Sequence, residues 1–274
     1  MPVTKPPSES TPDVETPVPD GAGEGGPTLK VTAQTFPKDG IETRQFEDAF
    51  AFSDHSAAVA DGASDAFEAG AWARLLVASY VHAAPTADGF AAWLRAPARA
   101  WDAALDWDAL PWYAEQKARD VGGLATFLGL RLGDAADGEA RFEALAVGDA
   151  CLFHLRGDAM ERRFPVGATE GFGTTPALLS TLQDHNRRLL DAGALQRYVG
   201  TCRPGDRFLL ATDALAEWLY AVADLDDPEL GFPDWPGVVD VLRHDFVRLI
   251  RTLRGADALR NDDVTLLIVD VVAH

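Results

Sequence analysis

The chain has 274 residues and carries 43 Asp and Glu against 24 Lys and Arg, a net charge of −19. That balance excludes nucleic acid and an anionic membrane surface as expected partners, because both demand a basic face. No apolar run reaches the ~18 residues of a membrane span, the N-terminus lacks a signal peptide's apolar core, and Cys151 and Cys202 read as free buried thiols, so a cytoplasmic protein is expected.

Residues 1–27 contain Pro2, Pro6, Pro7, Pro12, Pro17, Pro19 and Pro27 among small polar residues. Such a stretch buries too little apolar surface to offset its ordering entropy, and a disordered tail is expected there, with the folded domain over 28–274. Alternation over Leu29–Thr35 predicts a strand, and two more follow near Asp48–Phe52 and Ala57–Asp61. Ser64 or Asp65 is placed to cap a helix reaching His82, with Phe67, Ala71, Leu75, Ala78 and Val81 on one face. A second helix is predicted over Phe90–Leu105, and Trp93, Trp101, Trp107 and Trp112 read as packing material.

Beyond Gly122 the pattern turns to short strands punctuated by Gly-Asp: Leu124–Leu132, Ala140–Val147, Cys151–Leu155 and Ala159–Phe164, an antiparallel meander. Pro165–Ala192 shows little periodicity and reads as irregular and mobile. Strands at Gln196–Thr201 and Arg207–Ala211, helices at Asp213–Val222 and Val238–Leu253, and a central strand at Val264–Val272 complete the chain.

Four acidic residues share one context, the end of a strand at a turn or helix start: Asp61 before Gly62, Asp149 after Gly148, Asp213 after Thr212, and Asp262 before Asp263 and Val264. Glu47 and Asp48 stand one turn and one strand ahead of Asp61, where a hairpin would gather all three. Any one of these is readily a cap or turn residue. As a set, all-oxygen ligands at strand ends suit Mg²⁺ or Mn²⁺, which offset the repulsion among them. Gly62 leaves its own carbonyl free to approach a bound ion.

In order along the chain, Phe46-Glu47-Asp48, Val59-Ala60-Asp61-Gly62, Gly122-Gly123-Leu124-Ala125-Thr126, Val147-Gly148-Asp149-Ala150, the run Arg203–Asp213 ending in Thr212-Asp213, and Asp262-Asp263-Val264-Thr265 resemble the motifs of the metal-dependent Ser/Thr protein phosphatases of the PP2C (PPM) class in their bacterial form. The resemblance implies an α+β fold, an α/β/β/α sandwich of two antiparallel sheets flanked by helices. It implies two Mn²⁺ or Mg²⁺ ions, with Asp61 bridging them, the Gly62 carbonyl and Glu47 at one, and Asp213 and Asp262 at the other. Asp149 would hold a third, weaker ion and Asp48 would orient water at the metals. The implied substrates are phosphorylated proteins of a Ser/Thr kinase; no oligomeric state follows.

The chain departs from the family at several points. Ala214 stands where the family has Gly, and Ala63-Ser64 follow Asp61-Gly62. The histidine some members carry after Asp-Gly is absent, leaving His55 as the alternative general acid, weighed against an ordinary surface histidine. The family's phosphate-binding arginine falls on Thr43, one residue before Arg44, the candidate phosphate contact here. Pro165–Ala192 matches the family's flap, with Arg187 and Arg188 as candidate substrate contacts. Asp263 matches the family's Asn and is expected to tolerate exchange. Two other readings are a pseudophosphatase that keeps the fold as a binding module, and a phosphatase of a small phosphate ester.

Overall fold

The computed structural model describes residues 26–40, 46–136, 138–166, 172, 175–224 and 234–274. Thr28–Phe36 (β1), Asp48–Phe52 (β2) and Ser56–Asp61 (β3) are followed by the helices Ala69–Ala83 (α1), Phe90–Trp93 (α2), Arg95–Ala104 (α3) and Trp112–Asp120 (α4). Leu124–Ala125 (β4), Phe127–Ala136 (β5), Glu139–Val147 (β6), Cys151–Arg156 (β7), Ala159–Phe164 (β8) and Leu179–Ser180 (β9) come next. The helix Gln183–Asp191 (α5), strands Gln196–Cys202 (β10) and Asp206–Ala211 (β11), helices Asp213–Ala223 (α6), Trp235–His244 (α7) and Phe246–Gly255 (α8), and strand Val264–Val272 (β12) close the chain.

Two five-stranded antiparallel sheets result, ordered β1-β12-β11-β7-β8 and β10-β6-β5-β3-β2, with β4 and β9 as a small separate ladder. The period of two sorts the strand residues into layers. On β12, Leu267 and Val269 enter the core between the sheets, while Leu266 and Ile268 face α6–α8. On β3, Ala57 and Val59 join that inter-sheet core, and Ala58 and Ala60 meet Trp72, Leu76 and Tyr80 of α1. Helices therefore cover both outer faces, as an α/β/β/α sandwich requires, and β12 is apolar on both sides because both sides are buried.

Several elements differ from the sequence reading. The first helix begins at Ala69, not at Ser64 or Asp65, after Glu68 takes a left-handed backbone (φ 51) with no side-chain cap. The predicted helix Phe90–Leu105 is two, α2 and α3. The predicted helix Val238–Leu253 is also two, separated where Asp245 leaves helical geometry (φ −121, ψ 21), so that Phe246 and Ile250 reach the core shared by Trp235 and Leu242. Trp93 and Trp101 are buried as expected of packing residues and Trp107 is partly buried, but Trp112 is 76% exposed.

Within the stretch Pro165–Ala192, expected to be patternless, residues 175–192 carry β9 and α5. There β9 pairs with β4, and buried Asn186 of α5 clasps Ser180, accepting from its N–H at 2.8 Å and donating to its carbonyl at 2.7 Å. The Pro-rich segment up to residue 25 lies outside the described residues, as does Arg44. Among the described residues no helix is long and apolar enough to cross a membrane. Both cysteines are buried and free.

Candidate active site

One rim of the sandwich collects the acidic residues. In the second sheet Asp48, at the start of β2, stands directly opposite Asp61 at the end of β3. In the first sheet the start of β7, the end of β11 and the start of β12 adjoin through Ala211, which pairs with both Cys151 and Leu266. That places Asp149, Asp213 and Asp262–Asp263 at the same rim. The Thr212 hydroxyl joins the two sheets there: it donates to Asp48 Oδ2 at 2.9 Å and accepts the Thr265 N–H at 2.9 Å. Thr126 holds Asp61 by its backbone, donating its own N–H to the Asp61 carbonyl at 2.8 Å and accepting the Asp61 N–H on its hydroxyl at 3.3 Å.

Gly62 has a packing reason to be glycine beside its expected one. A Cβ there would lie 2.8 Å from the Ala69 carbonyl carbon and 2.9 Å from the Glu47 oxygen, so the start of α1 and the β2 strand could not close on the Asp-Gly turn. Gly148 sits at φ +99, and a Cβ would meet Thr126 at 2.7 Å; this turn delivers Asp149 to the rim.

The electrostatics follow from burial without enough positive charge. Burial, reinforced by Asp263 and Asp213, pushes Asp48 up to about 8 against the two threonine hydroxyls beside it. Asp61 is raised well above the carboxylate range by burial and by Asp48, Asp213 and Asp262. Asp149 is pushed up to about 6 by burial and Asp213, and Asp213 is raised by burial although Arg260 opposes the shift. Asp48 Oδ1 and Asp149 Oδ1 are buried with no hydrogen-bond partner. Buried carboxylate oxygens left bare among the described residues are uncommon and stand open to a proton, a water or a cation.

Among the described residues, Lys38 and Arg260 form ion pairs with acids of this cluster. Lys38 Nζ lies 3.1 Å from Glu47 Oε2 and also donates to Ser64, whose hydroxyl itself bonds Glu47. Burial opposes the Lys38 charge, but Glu47, Asp263 and Asp262 overcome it and raise its pKa. Arg260 Nη2 donates to Asp213 Oδ2 at 2.9 Å, and its Nε to Glu217 at 2.9 Å. Among the described residues no three of the carboxylates already stand in a metal-coordinating arrangement. The donor chemistry nevertheless suits a hard divalent cation: carboxylates at strand ends, a glycine turn, and bare buried oxygens.

Of the sequence-predicted residues, Glu47, Asp48, Asp61, Gly62, Asp149, Asp213 and Asp262 thus come to one rim. His55 does not: it lies in the turn before Ser56, at the far end of β3 from Asp61, about 17–20 Å away at the rise of an extended strand. Its reading as general acid is set aside. Arg187 pairs with Asp184 on the exposed face of α5. Asp263 is more than a spectator, since its two oxygens accept the Lys38 and Glu47 N–H groups at 2.9 and 2.8 Å. Sequence reasoning assigned no role to Thr126, Thr212, Thr265, Lys38 or Arg260. A hydroxyl residue flanking a strand-end carboxylate was the available signal for Thr212; Lys38 and Arg260 had none beyond proximity to Asp39 and Asp262.

No protein-family model and no curated protein matches the sequence. Among solved structures the chain is similar to the Mycobacterium tuberculosis serine/threonine phosphatase PstP/Ppp, at 18% identity and a TM-score of 0.51, covering 89% of this chain and 99% of that one. It is similar to the catalytic domain of PstP in complex with two manganese ions at 20% identity and 0.53, covering 90% and 99%. It is also similar to the photosystem II phosphatase PBCP at 16% and 0.53, covering 89% and 98%. Two antiparallel sheets flanked by helices, with acidic strand ends at one rim, give this chain the fold of the PP2C-type Ser/Thr phosphatases.

Proposed function

We propose that the chain is a divalent-cation-dependent phosphatase that hydrolyses phosphoserine and phosphothreonine monoesters in proteins. One observation carries the reading: four aspartates at one rim are all held above the ordinary carboxylate range, with two of their buried oxygens bare. Asp61, the Gly62 carbonyl and Glu47 would hold one cation, Asp213 and Asp262 a second, and Asp149 a weaker third. The similar PstP domain binds two manganese ions, which supports Mn²⁺ or Mg²⁺ here. When bound, such ions supply an ionisable water near neutral pH and neutralise the phosphate it attacks, help that a monoester requires.

The chain's own residues set the conditions for that chemistry. Thr212 fixes Asp48 through Oδ2 and leaves Oδ1 as the atom that carries and passes a proton beside Asp61. Proton loss from these aspartates and cation uptake are linked, because the same oxygens serve both. Arg44 is proposed as the phosphate contact, and phosphoproteins made by a cytoplasmic Ser/Thr kinase as substrates. A second reading, a pseudophosphatase, draws on the hold of Lys38 over Glu47 and of Arg260 over Asp213.

Phosphate release from a phosphothreonine peptide, measured with Mn²⁺ and then with excess chelator, separates the two. Turnover that the chelator abolishes is expected. A folded protein that binds Mn²⁺ and releases no phosphate from peptide or from p-nitrophenyl phosphate is the pseudophosphatase; release from the small ester alone points to a small-molecule substrate.

A further inference from the structure

In one half of the proposed metal site Asp213 is held from both sides. Both oxygens of Asp213 are engaged within the protein: Oδ1 accepts the Ala214 N–H at 2.6 Å, and Oδ2 accepts Arg260 Nη2 at 2.9 Å. A dication brought to Asp213 would stand beside a guanidinium whose charge repels it. Arg260 also has a second acid within reach. Its Nε already donates to Glu217 Oε2 at 2.9 Å, and Glu217, four residues along α6 from Asp213, is the more exposed of the two. Arg260 itself is about half exposed, so its side chain has room to move without unpacking the core. It sits two residues before Asp262, and it is therefore tethered to the same strand entry that supplies the other proposed ligand of this half.

We propose that Arg260 is a resident counter-cation of Asp213, that a divalent cation enters this half of the site only by displacing it, and that Glu217 receives the displaced guanidinium. In the cation-free chain Arg260 neutralises Asp213 and stabilises the rim. In the loaded chain it is released to Glu217. Arg260 thereby sets the cation concentration at which the site fills, and it acts through Asp213 as a positioning residue. This inference rests on the metal-site reading above.

The test is calorimetric titration of the chelator-stripped full chain with Mn²⁺, alongside melting curves with and without Mn²⁺. Arg260→Gln is expected to bind Mn²⁺ about fivefold more tightly, the upper range for a half-exposed ion pair. It should melt lower than wild type without metal and no lower with saturating Mn²⁺; a merely structural arginine would lower both. Arg260→Lys should stay near wild type. Glu217→Gln should weaken Mn²⁺ binding in the wild-type background and have no effect once Arg260 is Gln, because Glu217 acts only through the arginine. Equal or weaker Mn²⁺ binding by Arg260→Gln overturns the inference, and so does a Glu217→Gln effect of the same size in both backgrounds. Absence of Mn²⁺ binding in every one of these proteins rejects the metal site itself.

Discussion

Asp48 and Asp206 are nearly equally buried, at 3% and 2% exposure, yet their carboxyls are driven in opposite directions. Asp206 lies at the start of β11. Burial works against its charge, but Arg156 donates twice at 3.0 and 2.7 Å, and the Arg203 N–H and His154 add to it, so its pKa is lowered. Asp48 has hydroxyls and other carboxylates for neighbours, and burial sends it up to about 8. Glu143 repeats the first pattern with Arg131 at 2.8 Å and Arg197 at 2.5 Å. The difference separates structural acids, each matched by arginine, from the rim acids Asp48, Asp61 and Asp149, which form no ion pair among the described residues. Burial alone does not mark a site; burial without compensation does.

Neutralising one acid of each kind should produce opposite effects. Asp61→Asn should lower phosphopeptide turnover by more than about a hundredfold, since cation catalysis is worth several kcal/mol at about 1.4 kcal/mol per tenfold. Its metal-free form should melt no lower than wild type, because the amide replaces a carboxyl whose charged form burial and its acidic neighbours already disfavour. Asp206→Ala should do the reverse, costing about 3–5 kcal/mol of stability by stranding Arg156 and His154 while Mn²⁺ affinity of the folded protein stays unchanged. Chemical denaturation and Mn²⁺ titration of both variants check the pair. A metal-free Asp61→Asn that unfolds as readily as Asp206→Ala would erase the distinction.

A smaller effect sharpens it. Asp48 and Asp149 bind protons more tightly in the folded chain than in the unfolded one. The stability this gives is full below about pH 4, and it is lost as pH rises through about 6 for Asp149 and about 8 for Asp48. The metal-free protein should therefore become less stable from pH 5 to pH 8, by at most ~1.4 kcal/mol per pH unit for each proton lost. Asp48→Asn should flatten the upper part of that slope in denaturant titrations. The lowered carboxyls of Asp206 and Glu143 act oppositely, losing stability only as pH falls through the acid range.

The smallest expected change is at Asp263. Asp263→Asn keeps one acceptor and exchanges the other for a donor facing an N–H, so a loss of about 1–3 kcal/mol is expected, with catalysis retained in the folded fraction. Full loss of turnover there, with Asp262→Asn active, would shift the assigned ligand by one residue.

Much of this was legible in the sequence because strand-end acids and their turns are local signals. The apolar run Val264–Val272 and the Asp-Gly at Asp61-Gly62 announced a central strand and a rim. What the sequence hid depends on distant pairings. Thr212 reaches Asp48 across 164 positions and Asp263 reaches the Glu47 N–H across 216, and no periodicity encodes either. The helix break at Asp245 has neither Gly nor Pro to announce it, and α5 is held by Asn186 on Ser180, a polar clasp that apolar periodicity does not register.

Rim acids raised by burial and by one another take up a dication only by giving up protons, so metal stabilisation must depend on pH. The melting temperature of the chelator-stripped full chain would be measured with and without saturating Mn²⁺ at pH 5.5 and pH 8. Protons and Mn²⁺ compete for the same oxygens, so the Mn²⁺-induced rise should be clearly larger at pH 8. It should vanish in Asp61→Asn and persist in Asp206→Asn. A rise that is absent at pH 8, or no larger there than at pH 5.5, would mean that no dication competes with protons for these oxygens.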